Sequence, residues 1–266
     1  MNDMTDFTQY LNQQRIASIS LGQSGAEVCR LNGGLIAKHV QRQKLPNADL
    51  WEKYRQESMF FSHISAAQLP FIPEVIHNEL REDELLLILR EYSPLPKQAM
   101  QAPSILSKVL DVLVQLHSLP VPPFLPKQPP EVVQYSAASL AECREGWLQV
   151  LGEHSGRFSL SALEKISRSI NEINIRLFAP NCGFVHGDFH CENLLMDKAG
   201  NILVCDWQNF GYGEISGDLA FLLSRLRADG FSLDENLILE QYCLRAGIQS
   251  TQNLASQMRL ASLNTS

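Results

Sequence analysis

The feature that most constrains the fold is a run of polar residues set between short apolar strands in the second half of the chain. Residues 186–193 read HGDFHCEN, the apolar residues 194–196 follow, and a turn leads into a second apolar strand that ends at Asp206. Paired in a hairpin, these strands would bring Asp188, Asn193 and Asp206 to one end. One carboxylate there can accept a proton, while an amide oxygen and the second carboxylate can hold a hard cation. These are the polar groups that phosphoryl transfer requires.

The residues up to 92 alternate between apolar and polar positions as paired strands do. The alternation predicts five strands, over residues 15–21, 27–31, 35–40, 74–80 and 84–91. Asn32-Gly33 between two of the apolar runs is a strong hairpin signal. One helix is predicted over 48–66, because the apolar residues of that stretch recur on one face.

The pattern changes after residue 92. Segment 92–97 contains two prolines and is interpreted as a connection, beyond which helices are predicted. The helices cover residues 104–118, 137–152, 160–178, 216–228, 233–246 and 250–262. This order predicts an α+β fold of two lobes. Residues 1–92 would form a mainly antiparallel β lobe with one helix, and residues 93–266 a mainly helical lobe that carries the catalytic β-hairpin.

The composition bounds the class of protein. With 45% hydrophobic and 19% charged residues, the chain resembles an ordinary globular protein. The formal net charge of −7 argues against nucleic-acid binding, which needs a concentrated basic surface. The first residues lack the pattern of a signal peptide, and the strongest apolar run, 85–89, is too short to cross a membrane. The six cysteines form no C-x-x-C pair. We expect a cytoplasmic protein with no nucleic-acid or membrane partner, and the sequence leaves the oligomeric state open.

The order and spacing of the polar residues resemble those of a known family. His186-x-Asp188, followed after four residues by Asn193, is similar to the catalytic loop of protein-kinase-like enzymes. Gly187, where protein kinases carry Arg, and the later Asp218-Leu-Ala resemble the aminoglycoside phosphotransferase and choline kinase family of small-molecule kinases. The resemblance implies a bilobal protein-kinase-like fold. It also implies transfer of the γ-phosphate of ATP, with Mg²⁺, to a hydroxyl group of a small molecule.

The resemblance implies a role for each of these positions. Asp188 would orient the acceptor hydroxyl and take its proton. Asn193 and Asp206 would hold Mg²⁺, which bridges phosphate oxygens. His186 would be structural, its ring bonding the backbone to fix the loop. Asp218 would support the loop by accepting backbone N–H groups rather than by touching substrate.

The nucleotide side of the predicted site depends on Lys38 and Glu57. Lys38 shares one face of its strand with Ile36 and Val40, and a lysine between two apolar residues must reach water or meet an anion. The resemblance implies that this anion is the α/β-phosphate of ATP. Glu57 lies within the apolar stripe of the following helix, whereas Glu52 lies on its polar face. Because a buried carboxylate needs a partner, we expect Glu57 to pair with Lys38.

Further nucleotide contacts are expected from backbone groups. Gly22 and Gly25 bracket a polar turn between the first two strands, and N–H groups of that turn would contact phosphates. The turn is neither a full G-x-G-x-x-G nor a Walker motif. The backbone around Arg90 and Tyr92 would contact adenine, a prediction from position alone.

The acceptor is expected to be a small-molecule hydroxyl rather than a protein. No Ala-Pro-Glu follows Asp206, and too few residues separate it from Asp218 for a long activation loop. Trp207 and Gln208 also stand where protein kinases have Phe-Gly. Family members act on choline, thiamine and amino sugars among others, and an acceptor of one of these types is expected.

Two other functions remain open from the sequence. A nucleotide-binding pseudokinase or scaffold would usually have lost the base or a metal ligand, and here Asp188, Asn193 and Asp206 are all present. Alternatively, His186, Asp188 and His190 at alternate positions of an extended segment would line one face and could bind zinc for a hydrolase. That site would need a further, distant ligand.

Overall fold

The computed structural model describes residues 6–19, 25–64, 69–125, 134–153, 160–177, 182–249 and 251–264. In chain order its strands are β1 (Arg15–Ile19), β2 (Glu27–Leu31), β3 (Leu35–Gln41), β4 (Val75–Leu80), β5 (Glu84–Arg90), β6 (Ser93–Pro94), β7 (Cys182–Val185), β8 (Leu194–Met196), β9 (Ile202–Val204) and β10 (Gly211–Glu214). Its α-helices are α1 (Phe7–Gln14), α2 (Ala48–His63), α3 (Pro103–His117), α4 (Ala137–Glu153), α5 (Leu160–Leu177), α6 (Ser216–Ala228), α7 (Glu235–Ala246) and α8 (Thr251–Asn264). Among the helices of these residues, none is both long and apolar enough to cross a membrane.

The chain divides into two compact units. The first contains Met1–Leu113 and Asp188–Phe210, and the second contains Val114–Gly187 and Gly211–Ser266. The predicted hairpin therefore groups with the N-terminal residues in this division, whereas the sequence assigns it to the lobe after residue 92. The lobe boundary itself stays a prediction.

An antiparallel five-stranded sheet forms the core of the first unit, in the order β1-β2-β3-β5-β4. The predicted hairpin turn joins β2 and β3, and within it Gly33 and Gly34 have φ of 81° and 70°. Positive φ is sterically costly for other residue types, so the glycines favour the turn where the sequence places it. The prediction of an N-terminal antiparallel sheet is confirmed.

The first unit contains a helix, α1, that the sequence pattern does not predict. Asp6 caps α1 by accepting the N–H of Gln9 at 3.0 Å. Phe7 and Leu11 are fully buried, in one cluster with side chains of β2, β3 and β5. An isolated helix of eight mostly polar residues is not stable in water, so burial on the sheet accounts for it.

The second helix of the first unit, α2, carries the predicted buried face. Asn47 caps it by accepting the N–H of Leu50 at 3.0 Å. Tyr54, Glu57 and Phe61 are buried along one side. Because Glu57 is on that side, its carboxylate is directed into the protein rather than into water.

The polar hairpin is a small sheet in the first unit. β8 pairs antiparallel with β9, with Leu194 opposite Val204, so the residues before β8 and after β9 lie at the same end. β6, a strand of the connection that was not predicted, pairs with the other edge of β8. The N–H of Val204 also donates to the carbonyl of Phe71 at 2.8 Å. These contacts tie the hairpin to the N-terminal residues.

The second unit is mainly helical, as predicted, with helices within a few residues of the expected positions. It also contains a two-stranded antiparallel sheet of β7 and β10, in which Val185 lies opposite Gly211. β10 was not predicted, because the sequence GYGE shows no apolar alternation. The hydrogen bonds with β7 therefore account for the strand, although its own sequence has no strand pattern.

Candidate active site

Lys38 on β3 lies between two carboxylates. Its Nζ is 3.0 Å from Oε1 and 2.9 Å from Oε2 of Glu57, and 2.9 Å from Oδ1 of Asp206. Glu57 comes from the buried face of α2 and is 1% exposed. Asp206 follows β9, and its side chain is 39% exposed. The structure therefore brings together the lysine, its expected partner and one of the two residues expected to hold the metal.

Lys38 and the carboxylates of this cluster stabilise one another in their charged forms. Burial alone would lower the pKa of the Lys38 ammonium, but the charges of Glu57 and Asp206 outweigh that effect and raise its pKa. Burial raises the pKa of the Glu57 carboxyl, opposed by Lys38 and by the N–H of Trp207, which donates to Glu57 at 3.1 Å. A fixed ammonium beside a partly exposed carboxylate is suited to receive an anion together with a cation.

Asp206 has an unusual backbone conformation. In the described part of the chain it is the one non-glycine residue with positive φ, at φ 64° and ψ 65°. Such a residue stays in place only if its surroundings hold it. The buried Trp207 ring stacks on Phe60, with centroids 4.2 Å apart, and its indole N–H donates to the carbonyl of Val204 at 2.9 Å. Gln208 Nε2 donates to Asp206 Oδ1 at 2.5 Å.

Asp188 and Asn193 are in direct contact. The Asn193 Nδ2 donates to the backbone carbonyl of Asp188 at 2.8 Å and to its Oδ2 at 3.2 Å. The Asn193 carbonyl accepts the N–H of Cys205, the residue before Asp206, at 3.0 Å. Because the amide nitrogen faces Asp188, the amide oxygen of Asn193 is the atom suited to a cation. With the Asp206 carboxylate it would form the hard oxygen pair that Mg²⁺ prefers.

In the second unit, Asp218 on α6 is 3% exposed and makes several hydrogen bonds. Its Oδ2 accepts the N–H of His186 at 2.7 Å, and its Oδ1 accepts the N–H of Gly187 at 2.8 Å. The Nε2 of His117 lies 3.2 Å from Oδ2, and the other ring nitrogen lies 2.6 Å from the hydroxyl of Tyr242. Burial alone would raise the pKa of Asp218, but the bonds from His117 and His186 hold it below its usual value. Asp218 thus fixes the backbone of His186 and Gly187, directly before Asp188.

The remaining predicted residues have different outcomes. Gly22 lies outside the described residues. Gly25 has φ of 76°, and an added Cβ would come within 3.1 Å of the Leu45 side chain. The positive φ therefore favours glycine there, and a larger residue would also require a small shift of the Leu45 side chain. His186 is fully buried, and the bonding of its ring to the backbone stays a prediction.

In the segment predicted to contact adenine, some backbone N–H groups already have partners within the protein. The N–H of Arg90 donates to the carbonyl of Glu74 at 2.9 Å, and the N–H of Glu91 donates to the carbonyl of Gly34 at 2.8 Å. The Tyr92 hydroxyl lies 3.4 Å from the N–H of Glu74. Two N–H groups of this segment are therefore used within the protein, and the adenine contact stays a prediction.

The zinc alternative receives no support from the structure. Across the described ranges, no three His, Cys, Asp or Glu side chains are grouped as ligands of a metal ion would be. A Mg²⁺ ion does not need such a group, because it is usually held by one or two protein oxygens together with substrate phosphates and water.

Three of the residues described above were not predicted from the sequence: His117 and Tyr242, near Asp218 in the second unit, and His190, near Asp188 in the first unit. His117 and Tyr242 occur on apolar helix faces, where a polar ring is the one available signal. His190 was noticed only as part of the zinc alternative, and the structure places its ring beside Asp188 and Asn193.

Solved structures similar to this one show the fold. Aminoglycoside phosphotransferase APH(3'')-Id from Streptomyces rimosus is 18% identical, with 98% of this chain and 99% of that chain covered and a TM-score of 0.57. Choline kinase from Cryptosporidium parvum is 13% identical, with 96% and 80% covered and a TM-score of 0.60. Aminoglycoside phosphotransferase APH(2'')-IIa, solved with gentamicin, is 14% identical, with 100% and 87% covered and a TM-score of 0.61. The predicted kinase-like fold is confirmed.

Sequence comparison identifies the family. No curated protein matches the chain. The sequence profile described as APH, phosphotransferase enzyme family, matches residues 19–252, which includes every predicted site residue. The chain therefore belongs to the phosphotransferase enzyme family.

Proposed function

We propose that this protein transfers the γ-phosphate of MgATP to a hydroxyl group of a small molecule. The observation that carries the proposal is the contact of Lys38 with both Glu57 and Asp206 at 2.9–3.0 Å. Asp206 follows the hairpin of β8 and β9, and Asp188 and Asn193 precede it. This set offers an ammonium for phosphates, two oxygen ligands for a cation and a carboxylate for a proton, which together are the protein's share of phosphoryl transfer.

The nucleotide would be held by the cluster around Lys38. The ammonium would bind phosphate oxygens of ATP. Glu57, with both oxygens on Nζ, would keep it in place when Asp206 turns to the cation. Mg²⁺ bound by Asn193 and Asp206 would offset the negative charge on the β- and γ-phosphates.

The chemical step needs a proton acceptor beside the hydroxyl group. The hydroxyl oxygen attacks the γ-phosphorus, the bond to the β,γ-bridging oxygen breaks, ADP leaves, and the hydroxyl proton passes to the Asp188 carboxylate. The Asp188 side chain is 28% exposed, so a substrate can reach it, and the bond from Asn193 Nδ2 orients it. A positioned base of this kind contributes about 10²- to 10⁴-fold in rate.

A small acceptor fits the segment after Asp206. The residues between Asp206 and Asp218 form a short turn at Trp207–Asn209, strand β10 and the start of α6. They leave no room for a long activation loop. The similar solved structures include complexes with streptomycin and gentamicin, and a choline kinase. We therefore propose an acceptor of the amino-sugar, choline or thiamine type, and a cytoplasmic reaction, because MgATP is available there.

The test is release of ADP from ATP with and without Mg²⁺, in a panel of amino sugars, choline, thiamine, homoserine and simple sugars. We expect release only with Mg²⁺, strongest with the true acceptor, and a loss of about 10²- to 10⁴-fold in Asp188→Ala. Glu57→Gln should also lose activity, whereas Glu52→Gln, an exposed glutamate of the same helix, should not. Tight ATP binding without turnover on any acceptor would favour the scaffold, and zinc-dependent hydrolysis without ATP would favour the hydrolase.

A further inference from the structure

His190 lies between the proposed base and a proposed metal ligand. It is 9% exposed and belongs to the loop of the first unit that joins Asp188 to Asn193. Its Nε2 is 3.5 Å from Oδ1 of Asp188 and 3.3 Å from Nδ2 of Asn193. Its Nδ1 is 3.3 Å from the backbone nitrogen of Glu192. One ring therefore contacts both functional side chains while the backbone of the loop contacts the ring.

The neighbours of the ring determine where its proton lies. The N–H of Glu192 can only donate, so Nδ1 is the acceptor, and a neutral ring then carries its proton on Nε2. The Asn193 Nδ2 is also a donor. Of these two neighbours of Nε2, only the Asp188 carboxylate can accept. The two oxygens of Asp188 thus face different donors, with His190 at Oδ1 and Asn193 at Oδ2.

The ring itself is held in place from the protein surface. Glu192, whose N–H contacts the ring, has its side chain 2.9 Å from the ammonium of Lys97 on the connecting segment. The hydrogen bond from the Glu192 N–H therefore helps to orient the ring independently of the two functional side chains.

We propose that His190 is a positioning residue for phosphoryl transfer: its Nε2–H fixes the orientation of the Asp188 carboxylate. The inference rests on the proposed function. His190 touches no substrate atom in this role. Its loss should therefore reduce the rate of the chemical step and leave the binding of ATP nearly unchanged.

The experiment compares two substitutions of similar size. His190→Gln keeps a side-chain N–H donor, and His190→Leu removes it. For Mg²⁺-dependent ADP release from ATP, we expect His190→Leu to lower kcat by about 10²-fold and His190→Gln by less than about 5-fold, because a base displaced by about 1 Å can lose that much. The KM for ATP should stay within about 3-fold in both variants, since neither touches Lys38 or its partners.

His63→Leu, which changes an exposed histidine on the last turn of α2, is the matched control and should behave as the wild type. Equal losses in His190→Leu and His190→Gln, at unchanged melting temperature, would overturn the proposal, as would a rise in the KM for ATP without a change in kcat. If His190→Leu does not fold, His190→Gln decides alone, and activity as low as that of Asp188→Ala would overturn it. A wild type that releases no ADP refutes the proposed function itself, whereas an active wild type matched by His190→Leu refutes only the role of His190.

Discussion

Each unit of this protein contains a carboxylate that is almost fully buried, and the two carboxylates are stabilised in different ways. In the first unit, Glu57 is stabilised by the Lys38 ammonium, which also contacts the partly exposed Asp206. In the second unit, Asp218 is stabilised by two backbone N–H groups and by His117, and both side chains are less than 5% exposed. The first cluster is open to solvent at one carboxylate, and the second is closed.

This difference in exposure suits the first cluster to ligand binding and the second to holding the backbone. A closed cluster has its hydrogen-bonding capacity used by the protein, so its members can hold backbone but cannot take up a ligand. An open cluster retains a carboxylate that can exchange a protein partner for a cation. Substitutions in the first cluster should therefore reduce turnover more than stability, and substitutions in the second should do the reverse.

The largest effect is expected for Asp206→Asn. Asn tolerates the left-handed backbone conformation as Asp does, so the change removes the charge and keeps the backbone. We expect Mg²⁺-dependent ADP release to fall by about 10³-fold, because the proposed Mg²⁺ ligand loses its negative charge. The free energy of unfolding in urea should change by less than about 1 kcal/mol, since the side chain is partly exposed. An Asp206→Asn variant that is strongly destabilised but still active once folded would contradict the difference proposed between the two clusters.

Asp218→Asn should have the opposite profile. An amide cannot accept from His117 and both backbone N–H groups at once, so we expect the free energy of unfolding to fall by about 2–4 kcal/mol at pH 7. The pKa of Asp218 is lowered in the folded protein, so this stabilisation is present above its unfolded pKa, about 3.9, and is lost as the pH falls through the folded value.

The measurement is urea unfolding of the wild type and Asp218→Asn at pH 7 and at several values below pH 5. The gap between the two proteins should narrow on acidification. Turnover per folded molecule should fall less than in Asp206→Asn. Equal stability of the two proteins at pH 7 would remove the basis for calling the second cluster structural.

The cluster around Lys38 could be predicted from the sequence, whereas most of the cluster around Asp218 could not. Lys38 and Glu57 are charged residues at apolar positions of a strand and a helix. Because a buried charge needs a partner, the pairing of the two could be predicted. His117 and Tyr242 occupy apolar helix faces too, but core packing alone would explain an aromatic ring there. Their meeting depends on how α3, α6 and α7 pack, which local pattern does not encode.

The same reason explains the missed elements. The eight residues of α1 are mostly polar, and β10 is four residues with two glycines, so neither has the periodicity that predicts its structure. Both exist because of partners distant in sequence: the sheet under α1 and the strand β7 beside β10. The left-handed conformation of Asp206 likewise depends on the anchor that Trp207 and Phe60 provide.

A third carboxyl group extends the comparison, because its burial is only weakly compensated by hydrogen bonds. Glu214, at the end of β10, has an Oε2 that is buried without a hydrogen-bond partner among the described residues. Its Oε1 lies 3.5 Å from the N–H of Ser216. Burial raises the pKa of Glu214 to about 7. In contrast to Asp218, this carboxyl group should therefore favour folding when protonated and oppose it when ionised.

Glu214→Gln tests this with a small, pH-dependent effect. Because the folded pKa is above the unfolded value of about 4.3, the contribution of Glu214 to stability is full below that pH and is lost as the pH rises through about 7. After a discount for partial exposure, the loss should be about 1–2 kcal/mol. Urea unfolding of Glu214→Gln relative to the wild type should improve by that amount between pH 5 and 8, whereas Glu240→Gln, an exposed glutamate on α7, should show no trend. If the Glu214→Gln difference is also flat, this carboxyl group has partners as effective as those of Asp218, and the opposite pH responses expected of the two groups do not exist.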